Sequence, residues 1–252
     1  MGKYYQALQR LKVEPEFAAP VAGGRPTAAN HRPEVKWAVV PSALPERIPS
    51  GVLQAKALRS ISERIAPLAV LEASTRLVVA ACNHGDGAST VAVALALDIS
   101  QRLQLRTLLI DAHLRRPALH LFFNINTIAR HPELADQNLQ VQASGLDNLD
   151  LMSFMPAVGG LCQETSGEVE KYSSAYQAVI VDLGVPRLDP RMLALARPDD
   201  PIVLVVRYGH TDRAHLGTTA SALRAANRSM AGVIINDKTG PTGKFLRRLI
   251  SA

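Results

Sequence analysis

Cysteine is nearly missing from this chain: Cys82 and Cys162 are the only two in 252 residues. Two thiols cannot build a disulfide framework or a thiolate metal cage, and such sparing use suits a reducing cytosol. Aromatic residues are also scarce, at 4%. Long apolar runs are absent too. Stretches such as Leu77 to Cys82 and Ile202 to Val206 fall far short of the roughly 20 residues that cross a bilayer. The first residues are polar and basic without an apolar signal core, so secretion is not expected. What is present is ordinary globular material: 47% hydrophobic, 20% charged, 16 Gly and 16 Pro. That balance excludes collagen-like, disulfide-stapled and wholly disordered classes. A chain of this length suits one large α/β domain with a tail, and its core can fold without metal or disulfide. The net charge of +6, from 28 basic and 22 acidic residues, suits an acidic partner such as an anionic membrane face or a polyanion but names none.

The chain divides near residue 50. Residues 1–50 carry Pro15, Pro20, Pro26, Pro33, Pro41, Pro45 and Pro49 and the only Trp, Trp37, with no sustained periodicity. This reads as a tail or linker. Its one helical stripe is Tyr4, Leu8 and Leu11, enough for a short docking helix. Residues 51–252 read as the folded domain. Leu53, Ala57, Leu58, Ile61 and Ile65 form a helical stripe that Pro67 is expected to end. Strands are then expected at Leu77–Cys82, Thr107–Asp111, Asp150–Phe154, Val179–Asp182, Ile202–Arg207 and Gly232–Asn236. Amphipathic helices are expected at Ser89–Leu103, Arg191–Ala196 and Ala214–Ala226. Continuous apolar, β-branched runs mark strands buried on both faces, as a helix-covered parallel sheet requires. The expected fold is therefore α/β: a doubly wound, mostly parallel sheet flanked by helices, with ligands at the C-terminal strand ends.

The first strand is followed by Asn83-His84-Gly85-Asp86-Gly87-Ala88-Ser89-Thr90 and then a helix rich in Ala, Val and Leu. Strand, glycine loop and hydroxyl-led helix is the layout of a phosphate-binding P-loop: glycines let backbone N–H groups turn inward at a helix N-terminus. The P-loop pattern wants Gly-Lys-Ser/Thr, and here Ala88 holds the lysine position. A unit charge at contact distance is worth about 4 kcal/mol at an effective dielectric near 20. Losing such a stabiliser costs roughly 100- to 1,000-fold in rate. Binding of ATP or ADP can survive that loss, whereas fast phosphoryl transfer cannot. The candidate nucleotide-binding residues are Gly85, Asp86, Gly87, Ala88, Ser89 and Thr90; a plain tight turn with Ser89 or Thr90 as N-cap is the alternative. Two later strands end in acids, Asp111 and Asp182. A carboxylate buried at a strand end is costly unless it meets metal, water or a cation. Asp111 and Asp182 are thus the candidate catalytic pair, and with Ser89 the candidate Mg²⁺ ligands. Capping a local turn is the alternative for each.

In this order, over most of Lys56 to Asn236, the motifs resemble a known family: the cytoplasmic tyrosine autokinases that accompany bacterial polysaccharide copolymerases (CpsD/CapB-like), within the MinD/ParA-like P-loop group. His84 to Thr90 lies over that family's Pro-Gly-Glu-Gly-Lys-Ser-Thr loop. Asp111-Ala112-His113-Leu114-Arg115-Arg116-Pro117 lies over its Asp-x-Asp-x-Arg run, with His113 replacing the second acid. Val179–Asp182 matches the Walker B strand, and Gly232–Asn236 its closing strand, whose asparagine the resemblance implies contacts the base. The family's Glu-x-x-Arg-x-x-Arg ring helix becomes Lys56, Arg59 and Ser62. Residues 237–252 carry Lys238, Lys244, Arg247 and Arg248 but no tyrosine, so autophosphorylation of a tyrosine-rich tail is not expected.

The resemblance implies a degenerate P-loop protein of exopolysaccharide or capsule biosynthesis and export. Its expected partner is an inner-membrane polysaccharide copolymerase or polymerase, and its expected place is the cytoplasm, peripheral at the inner face of the cell membrane. A homo-oligomer stays open. Two rival readings are a slow MinD/ParA-like ATPase switch and a nucleic-acid-binding partition-type protein. The second lacks a compact basic stripe or interleaved aromatics, so no nucleic-acid partner is expected.

Overall fold

A computed structural model describes residues 56–71, 74–113, 117–123, 139–154 and 163–236. The tail 1–50 with its expected helix, Arg115, Arg116 and the basic residues after Asn236 lie outside this set. Runs rich in Val, Ile and Leu give strands β1 (Thr75–Ala81), β2 (Thr107–Asp111), β5 (Ala178–Gly184) and β6 (Ile202–Arg207). Every residue of β1, β2 and β5 is buried, as strands covered on both faces must be. With β3 (Leu139–Ala143), β4 (Leu149–Phe154) and β7 (Met230–Asn236) they form one sheet in the order β3-β4-β2-β5-β1-β6-β7. Only β3 runs antiparallel, pairing with β4 at the edge. The doubly wound, mostly parallel architecture expected from the sequence is the one observed.

Helices α1 (Lys56–Leu71) and α2 (Ala88–Leu97) cover one face of the sheet; α4 (Gln163–Ser173) and α5 (Arg213–Ala225) cover the other. The short α3 spans Leu119–Phe122. Helix α2 is apolar nearly all round, with Ala88 and Val91 to Leu97 buried. A helix of that kind belongs in the interior, and its alanines let it lie close to the sheet. Burying each larger aliphatic there contributes about 1.5–3 kcal/mol.

Three local expectations change. Pro67 does not end the first helix but lies inside α1. It is exposed, while Leu58, Ile65 and Ala69 on either side keep the stripe buried, so packing carries the helix past the missing N–H. The helix expected to run to Leu103 stops at Leu97 and widens into a π turn over Asp98–Arg102. The segment expected as a helix at Arg191–Ala196 is a 3₁₀ turn, Pro190–Leu195. Edge strand β3 and helix α4 were not expected.

Candidate functional site

The central strand β1 lies between β5 and β6, and its C-terminal end opens into residues 82–87 before α2 begins. Gly85 and Gly87 have φ of +85° and +98°, the left-handed region that glycine adopts without a Cβ penalty. Gly87 is doubly constrained, because a Cβ there would fall 2.2 Å from Asn236 Nδ2. The loop is held from beneath. The Asn83 N–H donates to Asp86 Oδ2 (2.8 Å) and Thr211 Oγ1 donates to Asp86 Oδ1 (2.9 Å). Arg187 donates to Cys82 O (2.9 Å) and Asn83 Oδ1 (2.8 Å), and Asn236 Nδ2 donates to Asp86 O (2.9 Å). These bonds tie the loop's side chains and backbone to β7 and to the segments after β5 and β6.

Helix α2 begins at Ala88 with no side-chain cap. The first amides of a helix have no acceptor inside it and sit at the positive end of its dipole. They border a cleft of about 390 Å³. The loop and α2 line it with Gly85, Gly87, Ala88, Ser89 and Thr90, and His113, Phe122, Gly184 and Val185 line it from other elements. An open, amide-rimmed cleft at a helix start can seat a phosphate chain.

Asp111 and Asp182 are register partners on neighbouring parallel strands, both buried. Their surroundings differ. Asp111 Oδ1 accepts the His113 N–H (3.1 Å), and Oδ2 accepts those of Ala118 (2.8 Å) and Leu119 (3.0 Å). It caps the turn that leads into α3, one of the two roles open to it from the sequence. Asp182 Oδ1 accepts the Gly184 N–H (3.2 Å), the Ser89 hydroxyl lies within reach of the carboxylate, and Oδ2 is buried without a hydrogen-bond partner among the described residues. Burial, then the charge of Asp111, pushes the Asp182 carboxyl up to about 7. Burial pushes Asp111 up as well, against the pull of its three amides.

An orphaned buried oxygen next to a hydroxyl that also lines the cleft is a hard-donor pair suited to Mg²⁺. Ser89 and Asp182 fit that ion. Both oxygens of Asp111 accept backbone N–H groups, and its charge helps to raise the Asp182 carboxyl. Neither acid itself lines the cleft.

No family model matches the chain. It is 30% identical over 177 residues to the tyrosine-protein kinase YwqD of Bacillus subtilis, across 64% of this chain and 71% of that one. The chain belongs to the bacterial tyrosine-kinase family of P-loop proteins. The fold agrees. The kinase domain of the Escherichia coli tyrosine kinase ETK superposes with a TM-score of 0.59 at 21% identity, over 73% of this chain and 77% of that one. A putative plasmid partition protein of Borrelia burgdorferi, solved with AMPPNP, gives 0.51 at 19% identity, over 71% and 82%. MinD of Pyrococcus horikoshii, solved with Mg-ADP, gives 0.50 at 15%, over 68% and 75%.

Several positions singled out in the sequence have distinct surroundings in the structure. Ala88 leaves the lysine position without a cation. His113 is buried, and its ring lies against Gly184, where a Cβ would fall 2.2 Å from His113 Cδ2. The His84 ring centroid is 5.6 Å from that of His113. Asp86, expected among the nucleotide-binding residues, turns its carboxylate into the loop's own anchorage. Asn236, expected at the base, bonds the loop backbone, and neither of the two lines the cleft. Ser62, at a ring-helix position, is buried and hydrogen-bonds Arg59 O (2.9 Å) and Asp98. Cys82 packs as a small buried apolar residue, its thiol pushed up by burial. Thr211 and Arg187, which hold the loop, escaped the sequence reading because they lie 104 to 125 residues from their partners.

Proposed function

We propose that the cleft binds a nucleoside polyphosphate, ATP or ADP with Mg²⁺, and that the chain serves exopolysaccharide or capsule assembly as a docking partner instead of a tyrosine kinase. The observation that carries this reading is the open cleft with Ala88 in the lysine seat. The amides of Gly85 to Thr90 would cradle the phosphates, and Ser89 with Asp182 would hold the metal. Mg²⁺, when bound, neutralises phosphate charge and the charge of the Asp182 carboxylate. Nucleotide in the fold neighbours supports the ligand class. The expected partner is a membrane-embedded polysaccharide copolymerase or polymerase, met at the inner membrane face. Among the described residues no helix is long and apolar enough to cross a membrane.

A thermal-shift series with ADP and ATP, with and without Mg²⁺, tests the reading. Saturating ligand is expected to raise the melting temperature by about 5 °C or more, since 100-fold excess over Kd adds about 2.7 kcal/mol. No shift at millimolar nucleotide would sink it. A second reading, a slow ATPase switch, draws on the orphaned Asp182 oxygen, which suits a metal that turns over its ligand. Phosphate release lost in Asp111→Asn would favour the switch, and binding without release the docking role.

A further inference from the structure

We infer that β7 is a docking surface for an extended acidic segment of a partner protein, which joins the sheet as a further strand. This does not depend on nucleotide in the cleft. Three observations carry it. The first is an apolar row: Met230, Val233 and Ile235 are 42%, 39% and 48% exposed on a strand of the main sheet. Their register partners on β6 are Ile202, Leu204 and Val206, which pack in the core beside Leu223 of α5. The three therefore share one face and continue that core outward past the helix.

The second is the edge itself. Among the described residues β7 ends the sheet at one side and β3 at the other. β3 is five residues long and sets Gln140 and Gln142 among its apolar residues. β7 has seven residues with no charged side chain and no proline, and Gly232 to Asn236 keep unbroken register with β6. It lacks the charges and prolines that blunt an edge, and such a strand recruits a peptide through its main chain and alternate side chains. The third is charge. Residues 213–252, which contain α5 and β7, hold seven Lys or Arg and a single acid, Asp237, so the chain's net +6 sits in that stretch. Just before β7, Arg228 Nη2 donates to Leu193 O (2.9 Å), while its Nε and Nη1 are buried without a hydrogen-bond partner. This flank is short of anions, and an acidic segment with apolar residues at alternate positions supplies both needs. A second copy would set the positive flank against itself. A bilayer core would offer no groups to pair with a strand edge.

Fluorescence anisotropy of the full chain with a labelled peptide of alternating valine and glutamate, long enough to span β7, reads the effect. At low salt it should bind about tenfold or more tightly than a block peptide of the same composition or one with lysine for glutamate. The double variant Val233→Thr, Ile235→Thr keeps β-branched shape at two exposed positions and removes apolar surface, and should weaken binding about tenfold. On binding, amide exchange should slow in β7 and stay unchanged in β2. Circular dichroism checks that the double variant folds; if it does not, the block peptide and the exchange measurement decide alone. No binding, or equal binding of the block peptide, overturns the inference while leaving the nucleotide reading intact. Self-association of the free chain that the double variant abolishes would make the occupant a second copy and also overturn it. So would sedimentation with phosphatidylserine–phosphatidylcholine vesicles that the double variant abolishes. A chain that takes up the peptide but no ADP would sink the nucleotide reading alone.

Discussion

Two buried charges sit at opposite ends of the same sheet and are treated in opposite ways. At the N-terminal end of β1, Arg76 is 4% exposed and saturated. Its Nε donates to Asp200 (3.1 Å) and its Nη2 to Leu195 O (2.8 Å), with Ser173 Oγ at 3.5 Å and Glu170 at 3.5 Å. At the C-terminal end of β5, Asp182 has, among the described residues, no cation beside it, a second carboxylate alongside and one oxygen unpartnered. A protein interior tolerates the first arrangement because geometry and hydrogen bonds offset the desolvation. The second is tolerable only if a proton, or a ligand supplied from outside, completes it. The contrast separates a structural clamp from a binding site, although both consist of charged side chains that water barely reaches.

Breaking the clamp is expected to have the largest effect. Arg76→Met leaves Asp200 buried without its main partner, and the loss of one member of such a pair costs about 3–5 kcal/mol. Urea denaturation would show it as a lowered midpoint with an unchanged slope, and melting would fall by on the order of 10 °C. Nucleotide affinity of the remaining folded protein should be unchanged, because the clamp lies at the other end of the sheet. A stability within about 1 kcal/mol of wild type would erase the contrast.

The acid at the site should behave in the reverse sense. The folded Asp182 carboxyl titrates near 7, whereas an unfolded aspartate titrates near 3.8. Between those values the folded state holds a proton that the unfolded chain has released, so stability falls as pH rises through the window and levels off above it. Asp182→Asn removes the group. It should match wild type near pH 4 and exceed it at pH 8 by on the order of 1–3 kcal/mol. Mg²⁺ should narrow that gap at pH 8 by stabilising wild type alone. Parallel pH–stability curves for the two proteins would show that Asp182 is compensated by something else.

This difference also decides how much was legible beforehand. β2 and β6 run as the sequence suggests, because strands buried on both faces write themselves as continuous apolar runs. β3, Leu139–Ala143, alternates two glutamines with apolar residues at an edge, and α4 carries Gly167 among polar residues, so neither announces itself. The glycine loop was visible because its chemistry is local. The anchorage was not: Arg76 meets Asp200 across 124 residues, and Thr211 meets Asp86 across 125. Asp111 shows a third case. Its three amides lie within eight residues, so turn-capping was on the table as a role, but sequence alone does not rank that role against metal binding.

Thr211 offers the mildest test, because it belongs to the site by position and to the clamp by character. Its Oγ1 donates to Asp86 (2.9 Å) and accepts the Arg207 N–H (2.8 Å), a satisfied pair that holds the glycine loop without facing the cleft. Thr211→Val keeps the shape and deletes both bonds, at a cost of about 1 kcal/mol. Asp86 keeps the Asn83 N–H, so the loop should loosen without collapsing. Amide exchange at Gly85 and Gly87 is expected to quicken several-fold while amides of β2 stay unchanged, since local opening draws on local bonds. Unchanged exchange at the loop would mean that Arg187 and Asn236 fix it unaided, and would move Thr211 out of the anchorage altogether.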